Sequence, residues 1–229
     1  MRSRRWLFGL VLGIGILSGW HWSRQNVGRS KLFAALPDSP IKRAIEPTIR
    51  RVPLLNATTR HIVDAAKLQI GDDYDASYRT ISYPNGDVPK GSGACTDVIV
   101  RAFRGAGIDL QKRIHDDMKA RFRAYPDSWK LGHTDKNIDH RRVPNHIVFF
   151  RRYGQELPVG TSGADLNSWQ PGDVVEWRLP GGRWHTGLIS DGIGPRGLPL
   201  VVHNGWKCVE QDALDAWPIA AHFRFPRTG

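Results

Sequence analysis

"GSGACTDVIVRAF", residues 91–103, sets a cysteine between a glycine-rich turn and a run with helical spacing. Val98, Ile99, Ala102 and Phe103 repeat as one apolar face, and Gly105 and Gly107 close the segment, so a helix is predicted to begin at Cys95. The first turn of a helix leaves backbone N–H groups unpaired and carries the positive end of the dipole. A thiol there is biased toward thiolate, which suits a nucleophile. It equally suits a disulfide with Cys208, the other cysteine, because an even cysteine count in an exported chain is where such bridges form.

Upstream of the cysteine, "DDYDASYRTISYPNGDVPKGSGA" is a long stretch of tyrosine, glycine and turn residues, a length that is uncommon in a loop without a function. Before it a helix is predicted with Thr58 or Thr59 as N-cap, Ile62, Ala65, Ala66 and Ile70 on one face, and Gly71 as the stop. Downstream, Ile114, Met118 and Phe122 mark a second helix in "DLQKRIHDDMKARFRAYP". Pro144 opens a third, which Gly154 ends. The final third changes character: "PGDVVEWRL", "RWHTGLISD", "LPLVVHNG" and "AHFRF" are short β-type runs separated by Pro and Gly turns. Helices first and an antiparallel sheet last define an α+β domain, with N-terminal helices packed on a C-terminal sheet.

The chain opens "MRSRRWLFGLVLGIGILSGWHW", an Arg-rich start followed by an uncharged run from Trp6 to Trp20, which is the pattern of an export signal. Residues 1–22 are therefore expected to be a signal peptide or an N-terminal membrane anchor. Residues 23–57, basic and carrying Pro37, Pro40, Pro47 and Pro53, read as a tether, and 58–229 as the functional domain. The formal charge of +11 persists as a clear excess after Arg2, Arg4 and Arg5 are set aside. A basic exported domain favours an anionic envelope polymer or cell-wall peptide as partner and argues against nucleic acid. The localisation expected is periplasmic or elsewhere in the cell envelope, with possible anchoring to the inner membrane.

The sheet supplies the histidines. Alternation puts His185, Gly187 and Ile189 on one face of their strand and Trp184, Thr186 and Leu188 on the other. His203 and Asn204 follow in the next run, joined to the first by "DGIGPRG", so His185 is expected nearly opposite one of them. A thiol at a helix start, a histidine on a strand and a further polar group to orient it are the parts of a thiol nucleophile with its general base. Asp139, His140, Arg141 and Arg142 form either a solvated loop or a clamp for substrate carboxylates, which the Arg fork matches. The nine histidines invite a metal reading, but no HExxH pattern or close Cys/His cluster occurs, so neither metal nor cofactor is expected.

The order of "GACTDVIVRAF", "QPGDVVEW", "WHTGLISD" and "VVHNG" resembles the NlpC-type branch of papain-like cysteine peptidases, bacterial enzymes that cut peptide bonds in peptidoglycan. "YPNGDVP", "CTDVIVRAFR", "NIDHRRVPN" and "HNGW" resemble more closely an uncharacterised bacterial family known as domain of unknown function 1287, over roughly residues 58 to 225. The resemblance implies a papain-like fold and cleavage of amide bonds in cell-wall peptide. It makes Cys95 the nucleophile, His185 the general base and His203 the orienting residue, whereas a Cys-His-Asn arrangement would favour Asn204. It also implies a tyrosine lining the site, for which Tyr74 and Tyr83 are the candidates. Ala94-Cys95-Thr96-Asp97 departs from the Asp-Cys-Ser-Gly usual in wall peptidases. A non-catalytic envelope-binding module of the same fold and a thiol-dependent acyltransferase are the alternatives.

Overall fold

Four amphipathic helices and a strongly apolar strand layer meet in the region that follows the tether. The structure, a computed structural model, describes residues 49–227. The signal or anchor expected over residues 1–22 and residues 23–48 of the tether lie outside the described residues. Among the described residues no helix is long and apolar enough to cross a membrane.

The first element overturns part of the expected organisation. Arg50–Arg51 (β1) lies in the stretch read as tether, yet it pairs antiparallel with Gly192 and Ile193 of the sheet. Arg51 also binds Asp191 and both carboxylate oxygens of Glu210. Asn56, not Thr58 or Thr59, caps helix α1 (Ala57–Lys67), its side-chain oxygen accepting the Thr59 N–H at 2.8 Å. The compact unit accordingly begins at Thr48. Charge pairing, invisible to periodicity, recruits these residues.

Asp73–Tyr74 (β2) and Ser92–Gly93 (β3) form a small parallel pair that leads into helix α2 (Cys95–Gly105). Helix α3 (Leu110–Ala120) follows, capped by Asp109, and buries Ile114 and Met118, whereas Phe122 falls in a separate 3-10 turn. Helix α4 (Val143–Tyr153) carries Pro144 in its first turn and ends at Gly154. Next come Gln155–Glu156 (β4), the short helix α5 (Gly163–Leu166), Val174–Arg178 (β5), Trp184–Ile193 (β6), Pro199–Asn204 (β7), Cys208–Gln211 (β8) and Ile219–Arg224 (β9). The sheet order is β4-β9-β5-β6-β7-β8, with β1 added to β6, and its pairs are antiparallel. The fold is α+β.

Two cores result from the strand alternation. On one face Val174, Leu188, Val202 and Phe223 pack against the helices, including Val98, Ile99 and Phe103 of α2. On the other, Trp177, Ile189, Val201 and Leu214 form a smaller cluster around Trp169. Each buried aliphatic side chain contributes about 1.5–3 kcal/mol, so α2 is held firmly on the sheet and the residues at its start inherit a fixed position.

Candidate active site

Cys95 is the first residue of α2, and Asp97 prepares the turn in front of it. The Asp97 carboxylate accepts the Ala94 N–H at 2.7 Å and receives the Arg141 guanidinium through Nε at 2.9 Å and Nη2 at 2.9 Å. Arg141 further donates to the Ser77 and Asp75 carbonyls, so one buried ion pair ties the long upstream loop to the cysteine turn. The departure from Asp-Cys-Ser-Gly at Asp97 thus has a local structural use.

Cys95 lies against the His185–Thr186 peptide of β6. Burial pushes its thiol up to about 12, an effect that the backbone N–H groups of Thr186 and Thr96 oppose and that a charge on buried Glu176, were it ionised, and the Asp97 carboxylate reinforce. Cys95 and Cys208 are both free thiols, so the disulfide considered from the sequence is not formed.

His185 and His203 share one face of the sheet, and His185 Nε2 stands 2.9 Å from His203 Nδ1. The observed register pairs Leu188 with Val202. Continued toward the strand ends, it sets His203 across from Gly187 and Asn204 across from Thr186. His185 is therefore diagonal to His203, where direct opposition to one of the two was expected. Trp177 stacks on His185 at 5.5 Å between ring centroids, and Trp217 closes the pair edge-on. Gly187 makes room for this: a Cβ there would meet Val201 at 2.5 Å and the Trp177 ring at 2.9 Å. Burial lowers His185 to about 3 and His203 to about 4, so both rings are neutral at pH 7.

The tautomers follow from the acceptor at the far end. Gln211 presents its side-chain carbonyl oxygen to His203 Nε2 at 3.3 Å, so that nitrogen carries the proton. His203 Nδ1 must then accept, and His185 Nε2–H donates to it. His185 Nδ1 is left unprotonated, its lone pair free to accept a proton. Gln211, Trp177 and Trp217 were missed by the sequence reading. The four-residue run "CVEQ" after His203 has no apolar/polar alternation, so nothing in the sequence pointed to Gln211.

Asn204 points to the helix face and donates to the carbonyls of Gly93 at 2.9 Å and Asp73 at 3.1 Å. It pins β7 to the turn before Cys95 and does not touch the imidazole pair. Tyr74 stands beside the thiol, 44 % exposed: burial, then the charges of Cys95 and Asp97, push its hydroxyl up. Its backbone N–H binds the carbonyl of Trp206, which is 86 % exposed.

The remaining candidates need correction. Tyr83, in the loop before β3, packs against α3, bonded to Asp116 at 2.7 Å and edge-on to His115, so it does not line this site. Asp139, His140 and Arg141 are buried and turned inward, which rules out a solvent-facing carboxylate clamp. Asp139 holds His115 Nδ1 at 2.9 Å, and every Arg141 nitrogen is engaged within the fold. Burial lowers His140 to about 3. Arg142 stacks over the Trp129 ring at 4.1 Å.

A thiol at a helix start, packed against the sheet whose strands carry a histidine pair, on an α+β frame, defines the class of site. The profile described as "Domain of unknown function (DUF1287)" matches residues 63–225, and the chain belongs to that family. It is 43 % identical over 185 residues to the uncharacterized protein YijF of Escherichia coli (strain K12), an alignment covering 80 % of this chain and 88 % of that one. Among solved structures it aligns with NlpC1 from Trichomonas vaginalis at a TM-score of 0.43 and 14 % identity, over 77 % of this chain and 46 % of that one. It also aligns with an NLP/P60-family protein similar to lipoprotein from Staphylococcus aureus subsp. aureus Mu50, at a TM-score of 0.42 and 14 % identity, over 81 % and 45 % of the two chains. This chain therefore spans less than half the length of either solved structure.

Proposed function

We propose that this protein is an exported thiol hydrolase that acts in the cell envelope on amide bonds of cell-wall peptide. The observation that carries the reading is the relay from Gln211 through His203 to His185, which leaves one unprotonated imidazole nitrogen, His185 Nδ1, on the strand that Cys95 abuts. No hydrogen bond joins the thiol to that imidazole in the resting site; such contacts tighten when substrate binds.

Thiol and imidazole are both neutral at rest, so proton transfer accompanies attack. His185 Nδ1 takes the Cys95 S–H proton as sulfur bonds to the carbonyl carbon. The developing oxyanion accepts from the Cys95 backbone N–H at the helix start. The C–N bond breaks, His185 returns its proton to the departing amine, and water then cleaves the thioester to release a carboxylic acid. His203 stabilises the imidazolium and fixes its tautomer. Tyr74 beside the thiol offers aromatic surface to the substrate.

Digestion of purified peptidoglycan followed by mass identification of the soluble fragments tests this. Fragments that gain one water per cut at an amide are expected. Fragments joined to a new amine would instead assign an acyltransferase, and an unchanged polymer would leave only binding.

A further inference from the structure

Trp206, at the end of the run "VVHNGW", is 86 % exposed although its backbone is held between the two halves of the site. It is the middle residue of the turn that joins β7 to β8, strands that pair through Asn204 and Cys208. On one side of it Gly205 faces the imidazoles: a Cβ there would lie 4.0 Å from His185 Nε2 and from His203 Nδ1. On the other side Lys207 bridges to Asp73. The Trp206 carbonyl accepts the Tyr74 N–H at 3.1 Å, and Tyr74 is the ladder partner of Gly93, which shortly precedes Cys95.

The turn is fastened along its length. The Cys208 N–H donates to the Asp72 carbonyl at 2.8 Å and the Gly71 N–H to the Cys208 carbonyl at 2.9 Å. Lys207 Nζ donates to the Gly71 carbonyl at 3.0 Å and pairs with the Asp73 carboxylate at 2.6 Å. A single exposed apolar side chain is ordinary on a protein surface. An indole left in water on a turn fixed this firmly, next to both the cysteine turn and the imidazole pair, is instead preorganised apolar surface for a ligand.

The surroundings decide which ligand. At 86 % exposure no walls enclose the indole, so it offers a flat platform where an aliphatic side chain would need a pocket. Lys207 is already engaged by Asp73 and Gly71, so it is not a free cation for an anionic lipid surface. The Asp73 carboxylate, 75 % exposed in its side chain, and the Lys207 ammonium supply hydrogen-bond acceptors and donors beside the platform. A flat apolar face flanked by such groups complements a pyranose ring, which presents an apolar C–H face and a rim of hydroxyl and amide groups. Resting on the hydrolase reading above, we propose that Trp206 is a specificity-determining residue that stacks on a sugar ring next to the reacting peptide, so that the substrate is peptide still linked to glycan.

Isothermal titration of the intact protein carrying Cys95→Ala, which consumes no probe, tests this. One probe is the disaccharide-peptide that a muramidase releases from peptidoglycan, and the other is the same peptide without its disaccharide. The sugar-bearing probe should bind about tenfold tighter, and adding Trp206→Ala should bring the two probes to within about twofold of each other. Trp206→Tyr, which keeps a ring, should restore most of the difference, and Leu68→Ala, which removes another side chain that is 86 % exposed, should leave it intact. Equal affinities for the two probes, including no detectable binding of either, overturn the proposal, as does a difference that survives Trp206→Ala. Cosedimentation with phosphatidylglycerol vesicles that Trp206→Ala abolishes, without discrimination between the probes, would assign the turn to a lipid surface and also overturn it. A failed peptidoglycan digestion alongside the expected titrations would reject the hydrolase reading and leave Trp206 as a sugar platform; successful digestion with equal affinities would do the reverse.

Discussion

The imidazoles of His185 and His203 meet edge to face, with His185 Nε2 2.9 Å from His203 Nδ1. Asn204, one residue on, bonds instead to the Gly93 carbonyl. Neighbouring residues on one strand thus do separate jobs, one on each face of the sheet. His203→Ala should lower hydrolysis by about a hundredfold or more with little change in melting temperature, since it removes the group that fixes the His185 tautomer. Asn204→Ala should lower the melting temperature first, through a loss of about 1–3 kcal/mol from carbonyls left unpaired. Rate and melting measurements on both variants check the division. The reverse ranking would give the orienting role to Asn204.

Arg141 should matter for stability more than for substrate affinity. Removing it leaves the Asp97 carboxylate buried beside Ala94 without its cation, which costs about 3–5 kcal/mol. Arg141→Ala is expected to lose that much in denaturant unfolding, and Arg141→Lys should recover little, because a single ammonium cannot fill the same bonds. Loss confined to the apparent substrate affinity, with stability intact, would restore the carboxylate-clamp reading.

Acid should weaken the fold through its buried histidines. His140 and His185 are lowered to about 3, and His146 and His203 to about 4. The unfolded chain protonates these groups near pH 6.5, so below that pH it binds more protons than the folded state, and stability falls as pH falls. Each histidine removes on the order of 1–2 kcal/mol between about pH 6.5 and 5, a window above the ordinary carboxylate range. Denaturant titrations at pH 7 and pH 5 measure the difference. Equal midpoints would show that these rings are protonated without penalty.

Both cysteines should remain thiols even after export. Cys95 and Cys208 are buried in the same core without a bond between them. Protein recovered from an oxidising compartment, unfolded and treated with an alkylator, should carry a label on each. A mass lacking both labels would indicate a bridge.

Much of this architecture is legible in the sequence. Val98, Ile99, Ala102 and Phe103 announce α2, and "RWHTGLISD" and "LPLVVHNG" announce the hairpin, because burial imposes a period on long elements. Arg50–Arg51 and Gln155–Glu156 are too short to carry any period, and their pairing depends on partners far along the chain. The same limit explains Arg141: an Arg in a polar run reads as surface until Asp97, distant in sequence, is brought to meet it. Gln211 and Glu176 were equally hidden, since the burial of a polar side chain is a property of the packed layers. Alternation distinguishes the faces of the His203–Asn204 strand, but only the hairpin register assigns each residue to the helix side or to the Trp177 side.

The central claim is that Cys95 performs the chemistry with His185 as its base. Release of new amino groups from purified peptidoglycan by wild type, Cys95→Ala and His185→Ala, each confirmed folded, measures it directly. The wild type should release them steadily, and either variant should fall by about a thousandfold or more, to the level of buffer. Undiminished release by Cys95→Ala would contradict the account.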